Sequence, residues 1–193
     1  MHYPSDPHTL AIQNQFFYGP SLLINPVTKE HSTSVSFYLP NDTWFDFFTH
    51  RPVSGAGTTI TYTDVTTSDI PILIRGGSII PLRVKSAITT KVLREQDFEL
   101  WVAPAVGGKA EGRLYMDDGE SLVQEGVSEI LFSWDGDTET VKMDGSFGFE
   151  TSLRVKSVTV LGEEAKTYVL DEGLSGPWER RVGEGVMEDI GVR

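Results

Sequence analysis

From Thr33 onward the chain is written in short runs where apolar and polar residues alternate, and none shows the 3.6-residue recurrence of a helix. Val35, Phe37 and Leu39 alternate with Ser36 and Tyr38, Ile60 and Tyr62 with threonines, and Phe98, Leu100 and Val102 with Glu99 and Trp101. A period of two puts each set on one face of a strand, so these runs predict half-buried antiparallel strands. Leu114 with Met116, Val141 with Met143, and Leu153 with Val155 continue the pattern. Val158 and Val160 then resume it out of step, which predicts a β-bulge. The expected fold is all-β: two consecutive antiparallel β-sandwich domains, 31–108 and 109–193, each near the usual size.

Residues 1–30 read differently. Ser5 or Asp6 can cap a helix with Pro7 in its first position and Gly19 beyond its end, which predicts a short helix over about 7–17. Leu22, Leu23 and Ile24 follow as a continuous apolar run, the pattern of a strand buried on both faces of a parallel sheet. Parallel partners for it are not evident later in the chain. Residues 1–30 are therefore expected to be mobile, to pack nonspecifically onto the first sandwich, or to drive self-association through the open edges of residues 22–27. The Gly/Glu-rich end from Arg180 to Arg193 is expected to be poorly ordered.

The formal charge of −12 is uneven: residues 1–110 hold 8 Lys+Arg against 9 Asp+Glu, and residues 111–193 hold 8 against 19. Such a balance repels phosphate backbones and anionic lipid, so neither nucleic acid nor membrane is an expected partner. The charge step, with the glycine pair Gly107-Gly108, sets the expected domain boundary. No stretch approaches the roughly 20 apolar residues of a membrane-spanning helix, and MHYPSDPHTL lacks the regions of a signal peptide. Without cysteine, disulfides and thiolate metal sites are excluded. Asn41-Asp42-Thr43, in what reads as a turn, makes Asn41 a candidate N-glycosylation acceptor.

Candidate chemistry is sparse. Trp44-Phe45-Asp46 and Trp134-Asp135 set an aromatic beside a carboxylate, as many sugar-cleaving sites do, because an apolar wall raises an acid's pKa. Both also read as plain buried strands. Asp117, Asp118 and Glu120 around Gly119 form the densest acidic cluster, readable as a Ca²⁺ loop, as the acids of a small hydrolase, or as a hairpin turn with glycine at positive φ. EF-hand spacing is absent, and the turn explains the residues without metal. His2, His8, His31 and His50 are not spaced as metal ligands, and Ser78 lacks a nucleophile's strand-turn-helix setting. Tyr18, Trp44, Trp101 and Trp178 are candidates for an aromatic sugar platform. No catalytic residue, metal or cofactor is expected.

Several segments, in order, resemble the C-terminal part of family 31 glycoside hydrolases, the family of α-glucosidases and α-xylosidases. They are DPHTLAIQNQFFYGPSLLINPV, SVSFYLPNDTWFDFFT, IPILIRGGSIIPL and GRLYMDDGES. The resemblance implies that residues 1–30 are the end of a catalytic (β/α)8 barrel, helix and last strand, followed by a proximal and a distal sandwich. It also implies a parent that hydrolyses O-glycosyl bonds with retention, using two carboxyl groups about 5–5.5 Å apart. The nucleophile of that family lies in W-x-D-M-N, which this sequence lacks. The resemblance thus implies an accessory region without catalytic carboxylates, its α-linked oligosaccharide met only through the barrel, in a parent of the secretory route. The alternative is a stand-alone carbohydrate-binding or structural module.

Overall fold

The computed structural model describes residues 2–66 and 68–182. It is an all-β protein of two compact units: the first runs to Gly76 and includes Gly162–Glu164, and the second runs from Gly77 to Leu161 and resumes at Ala165.

In the first unit, β1 (Phe16–Tyr18), β2 (Leu22–Ile24), β4 (Thr43–Asp46), β5 (Pro52–Ser54) and β7 (Ile72–Arg75) form a five-stranded sheet in the order β1-β2-β7-β4-β5. All its pairs are antiparallel. The strands β3 (Ser34–Leu39) and β6 (Thr58–Thr63) pair with each other as a two-stranded antiparallel sheet. Alternation in β3 turns Phe37 and Leu39 inward, where they join Leu23, Trp44 and Leu73 of the larger sheet in one buried cluster. Two sheets thus share a core, as in a sandwich.

The opening segment departs from expectation. Asp6 does cap a helical turn, accepting from the His8 N–H at 3.0 Å, but the turn is a 3₁₀ piece of three residues, Pro7–Thr9. Instead of continuing as a helix, the chain brings Phe16–Tyr18 back against Leu22–Ile24 as a hairpin. Aromatics favour a pleated surface, and Gly19 takes the turn at φ +64°. Nor is Leu22–Ile24 a stranded barrel strand. It lies antiparallel between β1 and β7, Leu23 is 2% exposed, and both edges are paired. Residues 22–24 thus present no open strand edge.

In the second unit one eight-stranded sheet runs β14-β13-β9-β8-β10-β11-β12-β15. Its members are β8 (Ser78–Arg83), β9 (Phe98–Ala103), β10 (Lys109–Met116), β11 (Ser128–Asp135), β12 (Thr140–Phe147), β13 (Arg154–Val160), β14 (Lys166–Gly173) and β15 (Trp178–Arg181), with a short helix α1 (Thr90–Arg94) before β9. Tyr168 of β14 and Val182 just after β15, from opposite ends of the sheet, belong to the same buried cluster as Phe132 and Leu100, so the sheet curls round a single core. The register shifts between Val155 and Ser157, the bulge that the broken alternation implied.

Two features of this sheet differ from the expected plan. It is not wholly antiparallel, since β13 runs parallel to β9 and β10 meets β8 in parallel at Glu111 and Ser78. Gly107-Gly108 is not a boundary either: it lies between β9 and β10 inside the sheet, with both glycines at positive φ. The division falls at Gly76-Gly77, in the middle of IPILIRGGSIIPL, whose halves β7 and β8 belong to different sheets. Charge composition changes at 110, but the turn from one core to the next is set by backbone. Gly77 sits at φ +83°, its N–H donating to the Ala103 carbonyl at 2.7 Å and its carbonyl accepting from Glu111 N–H at 3.0 Å. Pro81 lies inside β8, on a stretch paired only with β9, where a missing N–H is tolerated. Disorder is expected from Arg180 to Arg193, but Arg180 and Arg181 belong to β15 and Val182 is buried, and 183–193 lie outside the described residues.

Candidate functional site

A cleft in each unit carries polar side chains among the described residues. In the first unit Asp42, placed by the β3–β4 turn, accepts from the Tyr3 hydroxyl at 2.8 Å, from Arg75 Nε at 2.8 Å and from the Thr43 N–H at 2.8 Å. Arg75 also lies over the Tyr3 ring, 5.2 Å from its centroid. Beside this knot a cleft of about 380 Å³ is lined by His2, Tyr3, Gln15, Phe16, Leu23 and Pro40. Tyr38 donates to Asp6 at 2.7 Å, and Gln15 both donates to the Tyr38 carbonyl and accepts from its N–H. These contacts tie the 3₁₀ turn onto the sandwich.

Burial alone would raise the Asp42 carboxyl, but Arg75, Tyr3 and the Thr43 N–H outweigh it and hold it below the usual carboxylate range. Tyr3 is pushed well above an ordinary tyrosine by burial first, then by Asp42. A carboxyl whose folded pKa is depressed contributes stability above its unfolded value and loses it as pH falls through the folded one. Stability of the first unit is therefore expected to fall below about pH 4. Asp42→Asn should cost about 1–3 kcal/mol at pH 7 and flatten that acid limb, which thermal melts at pH 7 and pH 3 would show.

The second unit carries the acidic cluster, in a groove of about 930 Å³ that also includes Arg83, Arg94, Tyr115 and Glu150. Arg94, from α1, donates to Asp117 Oδ1 at 2.6 Å and to its carbonyl at 2.7 Å. Asp118 accepts from the N–H groups of Glu120 and Ser121 at 2.9 and 3.0 Å and from the Ser121 hydroxyl, which hold its carboxyl far below the ordinary range. Gly119 turns at φ +72°. This is the turn reading of Asp-Asp-Gly: one acid closes a turn, the other anchors an arginine, and an acid held so firmly ionised is unsuited to donate a proton. Among the described residues no group of three His, Asp or Glu side chains is placed to hold a metal ion.

The remaining candidates do not converge. Trp44 is wholly buried, donating to the Pro40 carbonyl at 3.0 Å, while Asp46 accepts from the Phe48 and Thr49 N–H groups at 3.0 and 2.8 Å. Tyr62, near Asp46, is pushed up to about 12 by burial and then by that charge. Trp134 is in the second core, and Asp135 accepts from the Asp137 N–H at 3.0 Å. Ser78 is buried within β8. His2 packs on Phe17 at 4.4 Å, His8 reaches Asp6 at 3.2 Å and His31 reaches Glu30 at 3.3 Å. His50 is part-buried, its pKa lowered by burial against the pull of Asp46. Of the aromatic platform only Tyr18 is strongly exposed, at 72%. Trp101 and Trp178 are half-buried, and Trp178 donates to the Gly173 carbonyl at 3.0 Å.

Sequence reasoning missed the Tyr3–Asp42–Arg75 knot, whose members are 39 and 33 residues apart and show no local pattern. It also missed Glu99, whose carboxyl burial pushes upward against a hydrogen bond from Trp101. Alternation alone could have flagged Glu99, a charge in a strand between buried Phe98 and Leu100, but it lines neither cleft.

Residues 1–80 match the Glycosyl hydrolase family 31 C-terminal domain. The chain is 46% identical over 173 residues to a probable alpha/beta-glucosidase of Arthroderma benhamiae, covering 89% of this chain and 20% of that protein. It is 31% identical over 186 residues to neutral alpha-glucosidase AB of Sus scrofa, covering 93% of this chain and 20% of that one. The chain thus spans about a fifth of the length of these relatives. In fold it is similar to the glucosidase II alpha subunit, with a TM-score of 0.73 at 24% identity over 94% of this chain and 23% of that one. It is also similar to a family 31 alpha-xylosidase of Xanthomonas citri, with a TM-score of 0.69 at 22% identity over 92% of this chain and 20% of that one. With its signature segments in order, its first unit closing at Gly76 and its all-β fold shared with these enzymes, the chain belongs to glycosyl hydrolase family 31 as a C-terminal, α-glucosidase-like part.

Proposed function

We propose that this chain is the accessory C-terminal region of a retaining α-glucosidase-like hydrolase, and that its two units brace a catalytic barrel lying outside residues 1–193. The observation that carries the reading is the mismatch of coverage: the Arthroderma relative accounts for 89% of this chain, yet this chain accounts for only 20% of the relative. In this reading the first unit, with its two sheets on one core, is the proximal sandwich, and the curled eight-stranded sheet is the distal one. The hairpin β1–β2 belongs to the proximal sandwich's own sheet. Asp42 is committed to Arg75, Asp117 to Arg94 and Asp118 to its own turn. Chemistry on an α-linked oligosaccharide therefore falls to the barrel. Nucleic acid and membrane are not partners, in keeping with the −12 charge. The chain travels the secretory route, as the description of one structural neighbour as ER glucosidase II suggests.

A carbohydrate-binding module would present several exposed aromatic faces to a sugar, and three of the four aromatics considered are buried or half-buried. Titrating maltose or isomaltose into the purified chain while following tryptophan fluorescence is expected to give no saturable change up to millimolar sugar. A saturable change would replace the bracing role with a binding one.

A further inference from the structure

Of the chain's three asparagines, Asn14, Asn25 and Asn41, only Asn41 is followed by a non-proline residue and then a hydroxyl residue, Thr43. The structure separates them further. Asn25 is wholly buried, its amide spent on the Leu23 and Pro71 carbonyls at 3.4 Å each. Asn41 is exposed on the turn between β3 and β4, and its side chain hydrogen-bonds no other described residue. The turn is held by its neighbours instead. Trp44 Nε1 grips the Pro40 carbonyl at 3.0 Å, and Asp42 points inward to Arg75 and Tyr3. A bulky group on the Asn41 amide would therefore break no contact that holds the turn.

We infer that Asn41 is an N-glycosylation site, modified by a lipid-diphosphate-linked oligosaccharide. The bond from Asn41 Nδ2 to the sugar C1 forms as the bond from C1 to the diphosphate oxygen breaks. The amide gives up one proton, and the lipid diphosphate leaves. The inference rests on the secretory reading above, so the test supplies secretory entry independently.

The full 193-residue chain is expressed behind a cleavable secretion leader in a eukaryotic host, and only molecules whose leader has been removed are scored, whether secreted or retained. The wild type is expected to carry the mass of one N-linked glycan, removable by peptide N-glycosidase. Asn41→Gln should lose that mass, and Thr43→Ser, which keeps the hydroxyl, should retain it. Leader-processed wild type without glycan mass would overturn the site while leaving the family reading untouched. Retention of the glycan in Asn41→Gln would overturn it equally.

Discussion

Replacing Trp44 by alanine is expected to cost the first unit about 3–5 kcal/mol, the range for emptying a large aromatic site in a core. Trp44 is the largest wholly buried side chain among the described residues. It lies 6.0 Å from Phe17 and 6.4 Å from Tyr3, centroid to centroid, and so joins the opening segment to the sheet that carries Leu23 and Leu73. Its loss also leaves the Pro40 carbonyl without the indole N–H that fixes the β3–β4 turn. Hydrogen exchange should register the change as a drop of about two to four orders of magnitude in the protection of amides in β3, β4 and β7, roughly what that free energy corresponds to. Unchanged protection there would mean that the core of this unit lies elsewhere.

The second large effect comes from a single methyl group. Gly112 lies in β10, next to the parallel junction with β8. A Cβ at that position would sit 2.2 Å from the Ile79 carbonyl oxygen and 2.8 Å from the Ile79 Cβ, and both belong to a buried residue of the neighbouring strand. Backbone cannot swing aside as a lysine tip can, so Gly112→Ala has to part β8 from β10 in the middle of the sheet. A loss of about 3 kcal/mol is expected, at the upper end of overpacking costs. In urea this should lower the midpoint of the second unit by about 1–2 M, read from Trp134 in its core. Gly176→Ala serves as the control, because nothing lies within 4 Å of a Cβ there, and its midpoint should not move.

Much of this fold was legible in the alternation of apolar residues, because a half-buried strand must repeat every second residue, and Phe37, Leu39, Leu100 and Val102 are buried as their spacing required. The opening segment misled because its local signals conflict. Asp6 and Pro7 do start a helical turn, but FFY and LLI flank Gly19-Pro20, which is equally a hairpin pattern, and cross-strand pairing won. The boundary at Gly107-Gly108 failed for a related reason: a glycine pair signals a sharp turn, and here the turn lies within one sheet. What no local pattern reveals is pairing across distance. The parallel contact of β9 with β13, and the convergence of Tyr3 and Arg75 on Asp42, depend on how strands are ordered, which residue spacing does not encode.

For the acidic turn, the residues and the turn were legible, while the arginine that meets Asp117 was not. Asp117, Asp118 and Glu120 stand together in sequence, yet only the hydrogen bonds show that Asp118 serves its own turn and Asp117 an arginine. That assignment underlies the claim that the hydrolytic chemistry of this family lies outside residues 1–193. It is tested most directly by the turnover of a chromogenic α-glucoside by the purified chain, measured beside a longer protein in which the same residues follow a family 31 barrel. The account predicts turnover only in the longer protein. Turnover by the 193-residue chain alone, abolished by Asp118→Asn, would contradict it.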